Sequence, residues 1–326
     1  MARIDCLDHL LFPVATRPLH ARISQSEGWR DVAVSTHQAV VDARTERVVG
    51  VVGRGYRLVS HAEALELGRE CCRAAFAETK PDEWQVSAAD GPATGSLAFI
   101  DLNHNSTTLD FASTDAKHKP DVYGPFVRVT NSYNGQRALS FDIGFYRKVC
   151  RNGLIVKDTL VRFKFDHQRR NIDEPIVFDF AQERFTKHKL DFLAYLDAMK
   201  DCEVPRSMFA RFVSAVLGFR PPAPERSDEL GPQWNELLAQ IEQLADRYAR
   251  ELGENAYAVF NVITDVASRP PVNRCVTRDM HSLQRRAGQW SSEFAKTCVK
   301  PSFDLDKYLS ELNMLTANPR RSGARS

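Results

Sequence analysis

The chain has 326 residues, of which 43% are hydrophobic and 26% are charged, and its 44 basic and 42 acidic side chains leave a formal net charge of +2. This composition is typical of a folded soluble protein and excludes a chain that is disordered over its whole length. The near-neutral total also excludes a protein that is positively charged over its entire surface.

The first residues and the cysteines indicate the compartment. Residues 1–12 carry acidic side chains and a histidine among their apolar residues, and they lack the apolar core of a secretory signal. No run of about 18 apolar residues occurs, and the seven cysteines are scattered without a C-x-x-C pair. We therefore expect a cytoplasmic protein with no membrane association, no structural zinc site and no cofactor.

The first predicted elements are short strands followed by a helix. Alternating β-branched residues predict strands over 31–41, 47–52 and 56–59. Ser60 and Glu63 have the spacing of a capping box, in which each side chain bonds a backbone N–H at the start of a helix. We therefore expect a helix from this box to about residue 77, with Cys71 and Cys72 as buried small side chains.

The chain then continues as sheet and later as helices. Strands are predicted over 84–87, 96–102, 107–111, 126–130 and 138–143. Helical spacing of apolar residues predicts helices over 189–199, 205–217, 234–248, 255–268, 279–298 and 304–315. The proline-rich stretch 220–228 should be an exposed connection.

These elements predict an α+β protein with an antiparallel, β-rich N-terminal part and a helical C-terminal part. We expect a β-rich α+β domain over 1–185 and a helical domain over 186–318. The last residues, 319–326, should form a disordered basic tail.

The charges are unevenly distributed along the chain. Residues 117–170, here called the basic segment, contain twelve Lys or Arg and four Asp, a net charge of +8 that leaves −6 elsewhere. Aromatic residues are interleaved with these charges, and binding of a single strand requires cations for phosphates and aromatic faces for bases. The segment predicts a nucleic-acid-binding sheet face made of Lys117, Lys119, Arg128, Tyr133, Arg137, Tyr146, Arg147, Lys148, Arg151, Arg162 and Lys164.

An ordinary antiparallel sheet is the alternative interpretation of the same pattern. Alternation with a period of two places aromatic side chains in the core and Lys or Arg in water without any ligand. The two interpretations differ at Tyr123, Tyr133 and Tyr146, which must be accessible if they stack on bases. Burial of these rings would remove the stacking part of the hypothesis.

The stretch 129–154 resembles the signature of a phage/plasmid-like family called domain of unknown function 932. The family shows an Asn-Ser-His-Asp-Gly turn, a strand and an Arg-x-Val-Cys-x-Asn-Gly/Thr-Leu element, which match Asn131, Ser132, Gly135, Arg147, Val149, Cys150, Asn152, Gly153 and Leu154. Weaker similarity extends to 48–64 and 255–264. The resemblance implies a mobile-element setting and a DNA-related role, and the fold is similar in outline to phage single-strand annealing proteins.

Two details of the signature bear on chemistry. Tyr133 and Asn134 replace the family's usual His-Asp, so this chain cannot perform any acid–base or metal chemistry of that pair in the same way. The signature turns, Asn131, Ser132 and Gly135 with Asn152 and Gly153, could hold a phosphate on backbone N–H groups beside arginines. Alternatively, their Asn and Gly residues only supply a positive φ.

No complete catalytic motif occurs, which favours a binding protein over an enzyme. The leading hypothesis is binding of single-stranded DNA in recombination or strand annealing, with self-association through the helical part left open. A second hypothesis is a metal-dependent enzyme acting on nucleic acid, with ligands among Asp101, His104, Asp110, Asp115, His118 and Asp121. A third is a protein-interaction module such as an inhibitor of host defence.

Overall fold

The computed structural model describes residues 7–25, 28–106, 109–112, 121–148, 152–154, 161–167, 178 and 181–317. The predicted tail at 319–326 lies outside these residues. Antiparallel sheets occupy the N-terminal half and helices the C-terminal half, which confirms the α+β prediction.

The first sheet has three antiparallel strands in sequence order, β1 (Val14–Gln25), β2 (Gly28–Asp42) and β3 (Val48–Gly53). Strands β2 and β3 were predicted, whereas β1 and the first residues of β2 were not. The prediction of a strand at 56–59 was wrong, because Tyr56 makes only an isolated bridge and 57–59 have no regular structure.

The second sheet has seven strands. Its main path runs in the order β10, β8, β7, β5, β4, and β6 pairs with β7 while β9 pairs with β8. Every register that the structure describes in this sheet is antiparallel. The bounds are β4 Trp84–Asp90, β5 Leu97–His104, β6 Phe111–Ala112, β7 Val122–Ser132, β8 Leu139–Arg147, β9 Asn152–Leu154 and β10 Val161–Phe165.

The chain divides into two compact units. The first comprises Met1–Leu109, Pro125–Ile143 and Val161–Thr186, and the second comprises Asp110–Gly124, Gly144–Leu160 and Lys187–Ser326. The second unit therefore includes two stretches, 110–124 and 144–160, that the division based on sequence assigned to the N-terminal part.

The core of the first unit lies between helix α2 (His61–Ala75) and one face of the second sheet, with helix α1 (Leu7–Leu10) beside it. The predicted capping box is present, since the Ser60 hydroxyl accepts from the Glu63 N–H and the Glu63 carboxylate accepts from the Ser60 N–H. Cys71 and Cys72 are fully buried, as predicted. Strand residues such as Ile100 pack against them in the same core.

The second unit is organised around helix α6 (Ala256–Ser268). Every residue of this helix from Ala256 to Ala267 is buried, because α4, α5 and α7 pack around it. No helix in the described part of the chain is long and apolar enough to cross a membrane. The other helices are α3 Ala181–Lys200, α4 Phe209–Leu217, α5 Ser227–Leu252, α7 Met280–Cys298 and α8 Leu305–Ala317.

Candidate functional site

Most described cations of the basic segment are already paired with carboxylates. Arg128 is 2% exposed and forms a two-pronged pair with Asp101, with N···O distances of 2.5 and 2.6 Å. Its partner lies outside the segment, which explains why a count along the sequence overestimated the free positive charge. Lys148 pairs with Asp110 and Arg162 with Asp142, whereas the pair of Lys164 with Asp166 is exposed and 3.6 Å long.

Arg137 is the exception among the described cations of the predicted face. Its side chain is exposed and has no carboxylate within ion-pair distance in the described part of the chain. Lys117, Lys119 and Arg151 lie outside the described residues. Among the described cations of the predicted face, Arg137 is therefore the one that is exposed and has no paired carboxylate.

Two of the three tyrosines proposed for base stacking are buried. Tyr123 is 2% exposed and Tyr133 is fully buried, while Tyr146 is half-buried. The phenylalanines of β8 and β10, Phe141 and Phe163, face each other across the strands inside the core. Since a base can stack only on an accessible ring, Tyr123 and Tyr133 cannot provide the stacking platform.

The first signature turn holds the start of helix α2. The Asn131 side-chain N–H₂ lies 2.9 Å from the Val59 carbonyl, to which it donates, and 3.0 Å from Nδ1 of His61. The backbone N–H of His61 donates to the Tyr133 hydroxyl at 2.7 Å, and the two rings stack with centroids 3.9 Å apart. Nε2 of His61 lies 3.0 Å from the Gly95 carbonyl, so Nε2 carries the proton and Nδ1 accepts.

This buried histidine is uncharged at neutral pH. Burial lowers the pKa of His61 to about 4, since desolvation disfavours the charged imidazolium. The turn itself is closed by the Ser132 hydroxyl, which donates to the Arg137 carbonyl at 2.7 Å and accepts from the Arg137 N–H. Gly135 has φ +71°, which agrees with the positive-φ interpretation at this residue, whereas Asn131, Asn152 and Gly153 do not have a positive φ.

The second signature element belongs to a buried polar cluster in the second unit, which we call the Asp121 cluster. The Nε of Arg147 lies 2.8 Å from both carboxylate oxygens of Asp121, and its Nη2 lies 3.0 Å from Glu251. The Tyr257 hydroxyl donates to Asp121 and accepts from the Tyr123 hydroxyl. Burial raises the pKa of both tyrosines, so they act as neutral donors.

The Asp121 cluster explains the position of the signature residues. Arg147 is 5% exposed and Asp121 is 7% exposed, so their charges are balanced inside the protein. Strand β9 extends this end of the sheet, where Asn152 lies opposite Arg147 and Gly153 lies opposite Tyr146. The arrangement holds β8, β9 and α6 together, and a phosphate role for the second turn stays a prediction.

The described carboxylates and the described histidine that were proposed as metal ligands are engaged by other groups of the protein. His104 contacts Glu83 at 3.4 Å and accepts from the Ser106 N–H at 3.1 Å, while Asp101, Asp110 and Asp121 are each paired with a cation. Asp115 and His118 lie outside the described residues. Within the part of the chain that the structure describes, no group of three or more His, Cys, Asp or Glu side chains could hold a metal ion.

The most exposed candidate surface was missed by the sequence analysis. Beyond the residues that pair with β3, strands β1 and β2 continue as a two-stranded ribbon made of residues 19–25 and 28–35, here called the Trp29 ribbon. Trp29 is 67% exposed and the Arg22 guanidinium lies 6.0 Å from the centre of its ring. Among the exposed large hydrophobic side chains of the described residues, Trp29 is the one aromatic.

A signal for this ribbon was present in the sequence. Residues 19–24 alternate apolar and polar side chains, and a polar stretch that ends at Gly28 separates them from Trp29 and Arg30. The ribbon was missed because it covers no core, so its alternation lacks the continuous apolar face by which strands are recognised.

Comparison with known proteins identifies the family. The model of a family described as Domain of unknown function (DUF932) matches residues 48–288, which is more than half of the chain, so the chain belongs to this family. No curated protein and no solved structure matches it. Asn131, His61 and the described members of the Asp121 cluster all lie within the matched residues, whereas the Trp29 ribbon precedes them.

Proposed function

We propose that this DUF932 protein binds single-stranded nucleic acid and that the Trp29 ribbon is the element that contacts it. The observation that carries this proposal is the exposure of Trp29, a residue that is 67% exposed to solvent. An accessible indole offers the flat apolar face on which an unstacked base can lie. In a duplex the bases already stack on one another, so an isolated ring of this kind favours a single strand.

The charges near Trp29 support contact with a polyanion. Arg22 lies over the ring and has only a long contact of 3.8 Å to Asp31, with both side chains mainly exposed. Arg30 lies opposite Ile23 on the neighbouring strand and is exposed, with no carboxylate in ion-pair distance among the described residues. Two arginines beside one accessible aromatic ring can neutralise phosphates while a base stacks.

The form of the ribbon also supports a binding role. None of its described residues is buried, and only Leu19 and Val34 are half-buried. An isolated two-stranded ribbon is marginally stable in water, because it buries too little surface to offset its ordering entropy. A ribbon of this length is therefore consistent with an arm that gains contacts from a ligand.

The resemblance of the signature to phage/plasmid-like proteins supports a proposal about the biological setting. We propose a cytoplasmic protein of phage or plasmid origin that contributes to recombination or strand annealing. DNA is the proposed ligand, bound through the Trp29 ribbon.

Fluorescence anisotropy with a labelled oligo-dT strand tests the proposal. Trp29→Ala should weaken binding by roughly 5- to 150-fold, which corresponds to about 1–3 kcal/mol of stacking for one base. Replacing Arg22 and Arg30 by Gln should each reduce the slope of log K against log salt by about 0.7. A Trp29→Ala protein that retains the wild-type melting temperature and the wild-type affinity would refute the proposal.

Two control variants separate stacking from general effects. Trp29→Phe keeps an aromatic face and should retain most of the affinity. Val272→Ala truncates a fully exposed apolar side chain of the second unit and should not change the affinity. Tighter binding to a duplex than to the single strand would contradict the assignment of the ligand.

A further inference from the structure

Helix α4 ends at a group of arginine side chains. Its cap, Gly218, has φ +71°, in the left-handed region that commonly ends helices. Arg278 donates from Nη1 to the Gly218 carbonyl at 3.1 Å, and Arg286 donates from Nε to the Val216 carbonyl at 2.7 Å. Since the last carbonyls of a helix lack partners within it, these bonds account for two of the cations.

The end of α4 carries more positive charge than these two bonds require. Nη1 of Arg278 lies 3.0 Å and Nη2 of Arg286 lies 3.3 Å from the point where a Cβ on Gly218 would stand. The two nitrogens are therefore within about 6 Å of each other. A third arginine, Arg220, follows Gly218 by two residues in the chain. Burial and the positive charges of Arg278 and Arg220 lower the pKa of Arg286.

These three arginines differ from others of the same unit. None of them has a carboxylate within ion-pair distance among the residues that the structure describes. Each guanidinium carries five N–H donors, and the described contacts use one donor on Arg278, one on Arg286 and none on Arg220. By contrast, carboxylates pair with Arg206, Arg247, Arg269 and Arg274.

A cavity of about 530 Å³ adjoins the group, and Arg220 is part of its wall. Arg211 and Trp234 also line it. Its wall includes the Ser214 hydroxyl, which is buried without a hydrogen-bond partner among the described residues. The carboxylate in the wall, Glu242, is engaged by Arg206 at 2.5 Å. The cavity is within the size range of small-molecule sites and combines an aromatic wall with cations.

We propose that Arg220, Arg278 and Arg286 form a binding site for a terminal phosphate group, whose remaining part occupies the adjoining cavity. Guanidinium groups match the geometry of phosphate oxygens, and a dianion would remove the repulsion among the three cations. The terminal phosphate belongs to a nucleotide or to the 5′ end of a nucleic acid strand. This site goes beyond the proposed function, because it uses no residue of the Trp29 ribbon.

Isothermal titration of the full-length protein with pyrophosphate and with AMP, at constant ionic strength, tests the site. We expect saturable binding that Arg220→Gln and Arg278→Gln each weaken at least tenfold. Arg220→Gln removes no described contact, so the variant should fold normally. Arg274→Gln is the matched control, since this arginine lies near Arg278 in sequence but is already neutralised by Glu229.

The source of the phosphate is distinguished with oligonucleotides that carry either a 5′-phosphate or a 5′-hydroxyl. A preference for AMP, or for the 5′-phosphorylated strand, supports the site and identifies its ligand. Trp29→Ala should leave pyrophosphate binding unchanged, so this site and the ribbon can fail independently. The absence of saturable binding, or equal affinities for wild type, Arg220→Gln and Arg278→Gln, would overturn the proposal.

Discussion

Replacement of Arg147 by Ala should destabilise the protein strongly, although this residue was predicted as a nucleic-acid contact. The change would leave the 7%-exposed Asp121 carboxylate without its cation and Glu251 without its buried partner. Removal of one member of a buried ion pair costs about 3–5 kcal/mol, because the remaining charge stays desolvated. For a domain of 150–250 residues this corresponds to a fall in melting temperature of about 6–20 °C.

Thermal and urea denaturation followed by circular dichroism measure this effect. Arg137→Ala is the control, since its exposed side chain has no carboxylate partner among the described residues, and its stability should stay within about 0.5 kcal/mol of wild type. Arg147→Lys should restore only part of the stability, because an ammonium cannot form both contacts of the guanidinium fork. Wild-type stability of Arg147→Ala would refute the role assigned to the Asp121 cluster.

The stability of Arg147→Ala decides which variants can be used to test nucleic-acid binding. A weakened affinity of an Arg147 variant would report partial unfolding as readily as a lost phosphate contact. Variants of Arg137, Arg22 and Arg30 avoid this ambiguity, because their exposed side chains stabilise no buried partner in the described structure.

The remaining predictions concern a buried histidine and a close backbone approach. The pKa of His61 is about 4 in the folded protein, whereas an ordinary histidine has a pKa of 6.5, so the stability that the neutral ring contributes is complete above pH 6.5 and is lost as the pH falls towards 4. His61 should contribute about 2 kcal/mol to the fall in the free energy of unfolding between pH 7 and pH 5, measured by urea denaturation, and His61→Gln should remove this contribution while that of the buried His167 remains. An NMR pKa near 6.5 for His61 in the folded protein would contradict this. Gly50→Ala would place a Cβ 2.3 Å from the Tyr133 carbonyl oxygen, so the melting temperature should fall by several degrees, whereas Gly53→Ala, which meets nothing within 4 Å, should leave it nearly unchanged.

Elements that depend on local chemistry could be predicted from the sequence. The Ser60 capping box, the turn at Gly135 and the six C-terminal helices follow from side chains that act within a few residues. The family signature was also recognisable, because it occupies a short continuous stretch. The alternation of the Trp29 ribbon was missed, since it buries no face against a core.

The candidate site could be predicted only in part. The sequence showed which residue types were concentrated in the basic segment, but it could not show that Asp101 neutralises Arg128 or that two of the three tyrosines are buried. It also could not show the arginines at the end of α4, because Arg278 reaches the Gly218 carbonyl from a loop 60 positions later in the chain.

By itself the sequence determined the α+β class, most of the helices and strands, the family and the location of its signature. Only the tertiary structure decided the role of each signature residue, since Asn131 meets His61 across 70 positions and Tyr257 meets Asp121 across 136. It also decided which cations remain available to a ligand. The physical reason is that charge and burial depend on partners brought together by folding, whereas propensity and periodicity act along the chain.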